Sequence, residues 1–314
     1  MMRSIRNLSV AVMSAIRFDG QVAIVTGAGG GLGRTYALDF ARRGAKVVVN
    51  DLGGDRHGTS QSTSMADKVV AEIRANGGTA VANYDSVEFG DKIVKTAIDN
   101  FGRIDILVNN AGILRDVSFV KMKDLDWNLI MKVHLFGAYS CTKAAWPYMR
   151  DQKYGRLIFT SSNSGVYGSF GQANYAAAKL ALVGLSHSLA LEGKKYNIFS
   201  NALVPTAGSR LTQTVMSEDM VNMLKPEYVT PLVVYLCSKE NSETGQIFEA
   251  GAGWFGQIKH YRSKGKVIAN ANAEKVRDNW TAITDQKGAV AHNTSAEITM
   301  SLIQALEEAK KSKL

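Results

Sequence analysis

Val22-Ala23-Ile24-Val25-Thr26-Gly27-Ala28-Gly29-Gly30-Gly31-Leu32-Gly33 is the stretch from which the fold is read. Its first four residues are uniformly apolar, as in a strand buried on both faces. The glycine turn allows a tight reversal, and apolar residues at helical spacing follow from Thr35 to Arg43. Strand, glycine turn and helix in that order form a cradle for a pyrophosphate. The turn lets the backbone come close, while the helix N-terminus supplies N–H donors and the positive end of its dipole. Gly27, Gly31, Leu32 and Gly33 are the candidate contacts.

Outward from this unit the alternation continues. Val47-Val48-Val49, Ile104 to Val108, Arg156 to Thr160, Phe199 to Val204 and Gln246 to Ala250 read as further strands, and Met65 to Ala75 as a helix. Such alternation implies an α/β fold, a Rossmann-type doubly wound parallel sheet with helices on both faces. Beyond Trp254 the alternation stops, and Ser295 to Lys310 has the pattern of an amphipathic helix with Ile298, Leu302, Ile303 and Leu306 on one face. We expect a single domain over 17–254 and a C-terminal extension over 255–311 that forms a dimer contact or covers the active site.

Composition narrows the classes of function. The chain has 314 residues, 46% of them apolar and 21% charged, ample for a sizeable core and unlike a disordered chain. Cys141 and Cys237 are too few for a disulfide scaffold, and no Cys/His cluster has metal-ligand spacing. No apolar run reaches the ~18 residues of a membrane span. The net charge of +9 points to an anionic partner or an address signal, and without a basic recognition helix or interleaved aromatics it does not point to nucleic acid.

Two further features bring chemistry. Asp51 follows the second strand, 18 residues after Gly33, near the ~20 at which an acid accepts the ribose hydroxyls of NAD. That carboxylate repels a 2′-phosphate, and neither Gly29 nor Gly30 is replaced by a cation, so NAD is expected over NADP. Alone, Asp51 also reads as a solvated turn residue. Tyr175 and Lys179 stand at i and i+4 and share one helix face. A phenol titrates near ~10, and an adjacent cation favours its phenolate, making it a usable base. Ser162 lies 13 residues earlier, after a strand, where its hydroxyl can reach a substrate oxygen. An isolated Tyr-x-x-x-Lys is usually a surface pair; its conjunction with the glycine turn, Asp51 and Ser162 argues for a catalytic set.

Thr26-Gly27-x-x-x-Gly31-x-Gly33, Asn109-Asn110-Ala111-Gly112, Ser162 and Tyr175-x-x-x-Lys179 together resemble the short-chain dehydrogenase/reductase family, in its order and over Arg17 to Trp254. The resemblance implies that Tyr175 is the general base, Lys179 lowers its pKa and holds the nicotinamide ribose, and Ser162 orients the substrate oxygen. It also places Asn110 along the cofactor and Asp85-Ser86 at the adenine. Ala207, Gly208 and Ser209 fall in the stretch that contacts the nicotinamide carboxamide, where Pro205-Thr206 replaces the family's Pro-Gly. His134 stands where the family usually has an Asn that supports a proton relay.

Less generic stretches, among them Asn50 to Asp55, Ala82 to Val87, Gly112 to Asp116, Tyr167 to Tyr175 and Gly251 to Trp254, resemble a branch of that family. This branch comprises the peroxisomal (3R)-hydroxyacyl-CoA dehydrogenase units that occur joined to hydratase and sterol-carrier domains, for which this chain has no room. The resemblance implies oxidation of (3R)-3-hydroxyacyl-CoA in fatty-acid β-oxidation, with NAD as cofactor and a homodimer as assembly. Oxidation of a steroid 17β-hydroxyl is the alternative the same residues serve, and a non-catalytic NAD-binding scaffold is a remoter one. Ser312-Lys313-Leu314 at the C-terminus matches a receptor-read peroxisomal import signal, implying the matrix as location and the import receptor as partner. Residues 1–16 have two arginines and no acid, like a weak presequence. Initiation at Met13 is the simpler account, with the first residues disordered.

Overall fold

Alternate side chains of a strand point to opposite faces, and here each face meets its own helical layer. The computed structural model describes residues 15–54, 63–208 and 222–311. Strands β1 (Val22–Thr26), β2 (Lys46–Asn50), β3 (Thr79–Asn83), β4 (Ile106–Asn109), β5 (Gly155–Thr160), β6 (Ile198–Thr206) and β7 (Ile247–Gly251) pair in parallel. With β8 (Trp254–Ile258) at the edge, the sheet order is β3-β2-β1-β4-β5-β6-β7-β8. Ala23, Val25, Val47, Val49, Ile106 and Val108 pack on one side with helices α1 (Gly31–Arg42) and α2 (Ser64–Ala75). Val22, Ile24, Val48, Leu107, Leu157 and Phe159 pack on the other with α3 (Gly90–Phe101) and later helices of that layer. Burial on both faces explains why these strands are apolar throughout rather than alternating. Each Val, Ile or Leu so buried contributes roughly 1.5–3 kcal/mol.

The chain order reverses at β1, whose neighbours are β2 and β4. Crossovers leave to opposite sides there and open a crevice at the carboxyl ends of the strands. The remaining elements that matter for the site are α4 (Asp124–Ile130), a π-helical turn Met131–Phe136, α5 (Gly137–Gln152), α6 (Asn163–Tyr167) and α7 (Ala173–Gly193).

The expected strands are present. β3 was not expected from Thr-Ala-Val-Ala-Asn, because two alanines give little strand signal; pairing along β2 holds it extended. The residues separate into two compact units, Met1–Gly256 and Gln257–Leu314. The second holds a small antiparallel pair, Tyr261–Arg262 with Val290–Ala291, and ends in the helix Ser295–Lys311. Within it Arg262 donates to the Ser301 hydroxyl at 2.8 Å. Residues 1–14, Ser209 and Ser312-Lys313-Leu314 lie outside the described residues. Cys141 and Cys237 are free thiols buried in the two layers.

Candidate active site

The glycine turn joins β1 to α1 at the crevice. Gly27 has φ +64°, and a Cβ there would lie 2.7 Å from the Ala111 Cα. A Cβ at Gly33 would collide with the Gly27 carbonyl. Both positions therefore require glycine. Gly30 caps α1 without a side-chain bond, and the first turn holds no acid, so the helix itself supplies no anion to its leading N–H groups. Asn110 ties the turn to the end of β4. Its Nδ2 donates to the carbonyls of Thr26 at 3.0 Å and Gly27 at 3.2 Å, and its N–H donates to Thr26 Oγ1 at 3.0 Å.

Asp51 follows β2 and is partly exposed. Its carboxylate accepts from the N–H of Gly29 at 2.7 Å and of Gly53 at 2.7 Å. A carboxylate has about four acceptor positions, so it retains capacity for a diol. Asp85 and Ser86 follow β3. Asn50 donates to the Asp85 carbonyl at 2.9 Å and Asn83 to its carboxylate at 2.9 Å. Ser86 caps the turn after it by accepting from the Glu88 N–H. This Asn50–Asn83 bracket was not anticipated; two asparagines at corresponding strand ends were its only trace in the sequence.

Ser162 sits just past β5 and is the N-cap of α6, its Oγ accepting from the Ser164 N–H at 3.2 Å. Its side chain acts on the Tyr175 phenol, holding the phenol's pKa down. Tyr175 and Lys179 lie on α7, with the Lys179 Nζ 5.4 Å from the phenol ring centre. Lys179 is buried and donates to the Thr160 carbonyl at 2.6 Å. Burial pushes the Tyr175 phenol up to about 12, although the Ser162 side chain opposes it and the Asp116 charge adds to it. Burial pulls the Lys179 ammonium down to about 7. The sequence reading anticipated a cation-depressed phenol. Desolvation wins, moving both groups toward neutrality.

His134 comes into the site from the π-helical turn, a feature frequent at functional sites. Its ring meets that of Tyr175 edge to face, centres 5.2 Å apart. Nε2 lies 3.1 Å from the Ile113 nitrogen and 2.8 Å from its carbonyl oxygen. Burial, with the Lys179 charge second, lowers its pKa well below the usual histidine range, so the ring is neutral. Asn174, buried and not anticipated, accepts from the Tyr175 N–H at 2.8 Å and donates to the carbonyls of Arg115 and Asp126. Ala207 and Gly208 follow β6, whose Thr206 hydroxyl accepts from the Asn163 amide at 2.8 Å, next to Ser162. The expected groups among the described residues lie in two sets along the carboxyl ends of the sheet, one suited to a dinucleotide and one to proton transfer; Ser209 lies outside the described residues. Among the described residues no group of His, Cys, Asp and Glu could hold a metal ion.

A doubly wound sheet with a glycine cradle and a Ser/Tyr/Lys set is the architecture of a nucleotide-dependent oxidoreductase. The chain belongs to the short chain dehydrogenase family, whose profile matches residues 21–222. It is an oxidoreductase that uses a nicotinamide cofactor. It is 56% identical over 299 residues to the mouse peroxisomal multifunctional enzyme type 2, covering 94% of this chain and 41% of that protein. The solved full-length type 2 enzyme of Drosophila melanogaster matches with a TM-score of 0.81 and 45% identity over 93% of this chain, and the chain spans 50% of it. A 7α-hydroxysteroid dehydrogenase solved with NADH and 7-oxo glycochenodeoxycholic acid matches with a TM-score of 0.68 and 28% identity, covering 76% of this chain and 95% of that one. Among the described residues no helix is long and apolar enough to cross a membrane.

Proposed function

We propose that the chain is an NAD-dependent (3R)-3-hydroxyacyl-CoA dehydrogenase of the peroxisomal matrix, oxidising the C3 hydroxyl to a ketone. The observation that carries this is the placement of Ser162 at the α6 N-cap with Tyr175 and Lys179 together on α7, at the strand ends beside the glycine cradle. A nicotinamide held beside this set would supply the hydride acceptor for C3. Tyr175 Oη removes the hydroxyl proton, and Lys179, held on the Thr160 carbonyl, favours the phenolate that does so. Ser162 donates to the substrate oxygen as charge develops there, a stabilisation realised mainly in the transition state.

Asp51 at the end of β2 supports NAD over NADP, since its carboxylate repels a 2′-phosphate. Gly27, Gly31, Leu32 and Gly33 would hold the pyrophosphate, Asn110 would flank the cofactor, Asp85 and Ser86 would meet the adenine, and Ala207, Gly208 and Ser209 the carboxamide. The peroxisomal names of the relatives and the terminal Ser312-Lys313-Leu314 support import through the peroxisomal receptor. The +9 net charge suits a thioester and a cofactor that both carry phosphates. A homodimer is the expected assembly, with 255–311 at its interface or over the site.

Spectrophotometric assay of both enantiomers with NAD and with NADP tests the reading. NADH formation from the 3R isomer is expected; formation from 3S alone overturns the assignment. The likeness to an enzyme bound to a 7-oxo bile acid favours one second reading, a hydroxysteroid dehydrogenase. The ratio of kcat/KM on a 17β-hydroxysteroid and on an acyl-CoA separates the two.

A further inference from the structure

We infer that Asp116, Gln172 and Ser164 form a hydrogen-bonded brace that sets Ser162 as a donor to the substrate oxygen, making Gln172 a positioning residue for the reaction. The inference rests on the oxidoreductase reading above. The directions of the bonds follow from one fixed point. A carboxylate only accepts, so the Asp116 Oδ2 at 2.9 Å must face the Gln172 amide nitrogen. The Gln172 carbonyl oxygen is then turned toward the Ser164 hydroxyl, 2.7 Å away, which must donate. Ser164 in turn gives its backbone N–H to Ser162 Oγ. Because Ser162 Oγ accepts there, its own proton is left free to be donated to the substrate oxygen.

The same segment anchors the other members of the site. Val117 donates its N–H to the Gly171 carbonyl at 2.8 Å. The Arg115 carbonyl accepts from Asn174, which holds the Tyr175 N–H. Ile113 holds His134. Residues 113–117 therefore connect to Ser162, Tyr175 and His134 at once, and Gln172 is the link that reaches Ser164, whose N–H meets Ser162. Replacing Asp116 by Asn removes the group that orients the amide, because an Asn side chain donates as well as accepts.

A double-mutant cycle reads this directly. Gln172→Leu should lower kcat about tenfold to a hundredfold, the scale of misplaced catalytic groups, with KM for NAD unchanged. Asp116→Asn, at an exposed position, should do the same in smaller measure. In a Ser162→Ala background neither substitution should lower kcat further. Additive losses in that background, or an unchanged kcat in the single variants, overturn the brace. Wild-type protein that oxidises no (3R)-3-hydroxyacyl-CoA overturns the substrate reading instead. The brace is then judged by amide hydrogen exchange, where Asp116→Asn should speed exchange across 163–168 and unchanged exchange rejects it.

Discussion

Burial drives Tyr175 and Lys179 toward neutrality from opposite ends of the pH scale, up to about 12 and down to about 7. The consequence for stability can be worked out for Lys179. Its folded pKa lies below the unfolded value of 10.5, so between about pH 7 and 10.5 the unfolded chain binds the extra proton and stability rises with pH. The cost of the buried ammonium is complete below about pH 7 and amounts to several kcal/mol at most. Lys179→Met should therefore be more stable than wild type near pH 6 by urea unfolding, offset in part by the orphaned Thr160 carbonyl. That difference should shrink toward pH 10, and turnover should be lost. Tyr175→Phe should cut kcat about 10²- to 10⁴-fold, the range for a lost general base. NADH binding by fluorescence titration should fall far less than kcat, since the glycine cradle between β1 and α1 is left intact.

At the scale of elements, the cradle is shaped by the turn that follows β2. Asp51 closes the turn after β2 by holding both Gly29 and Gly53, so it shapes the cradle as well as offering a charge. Asp51→Ala should raise KM for NAD about tenfold, roughly the loss of one charge-assisted bond, while the disadvantage of NADP shrinks. Paired kinetics with the two cofactors check this. Most of these elements were legible along the chain. β1, β2, β4 and β5 are buried on both faces and so carry uninterrupted apolar runs, and α1 and α2 show their 3.6-residue stripe. β3 was not, because Thr79–Asn83 is extended on account of its partner. The π-helical turn at Met131–Phe136 was equally hidden, since one displaced hydrogen-bond register leaves no mark on side-chain composition.

At the scale of the molecule, the terminal tripeptide and the enzymatic unit make separate claims. A fluorescent fusion ending in Ser312-Lys313-Leu314 should be punctate with a peroxisomal marker, and deletion of those residues should leave it diffuse in the cytosol. Local pattern was enough for the doubly wound class, the glycine cradle, Asp51 and the Tyr175–Lys179 pair, because each depends on residues near one another in sequence. Packing was needed for the rest. The neutral state of His134, the burial of Lys179 and the Asp116–Gln172–Ser164–Ser162 connection join segments far apart along the chain. Desolvation and hydrogen-bond direction are properties of those neighbours in space, and no spacing rule carries them.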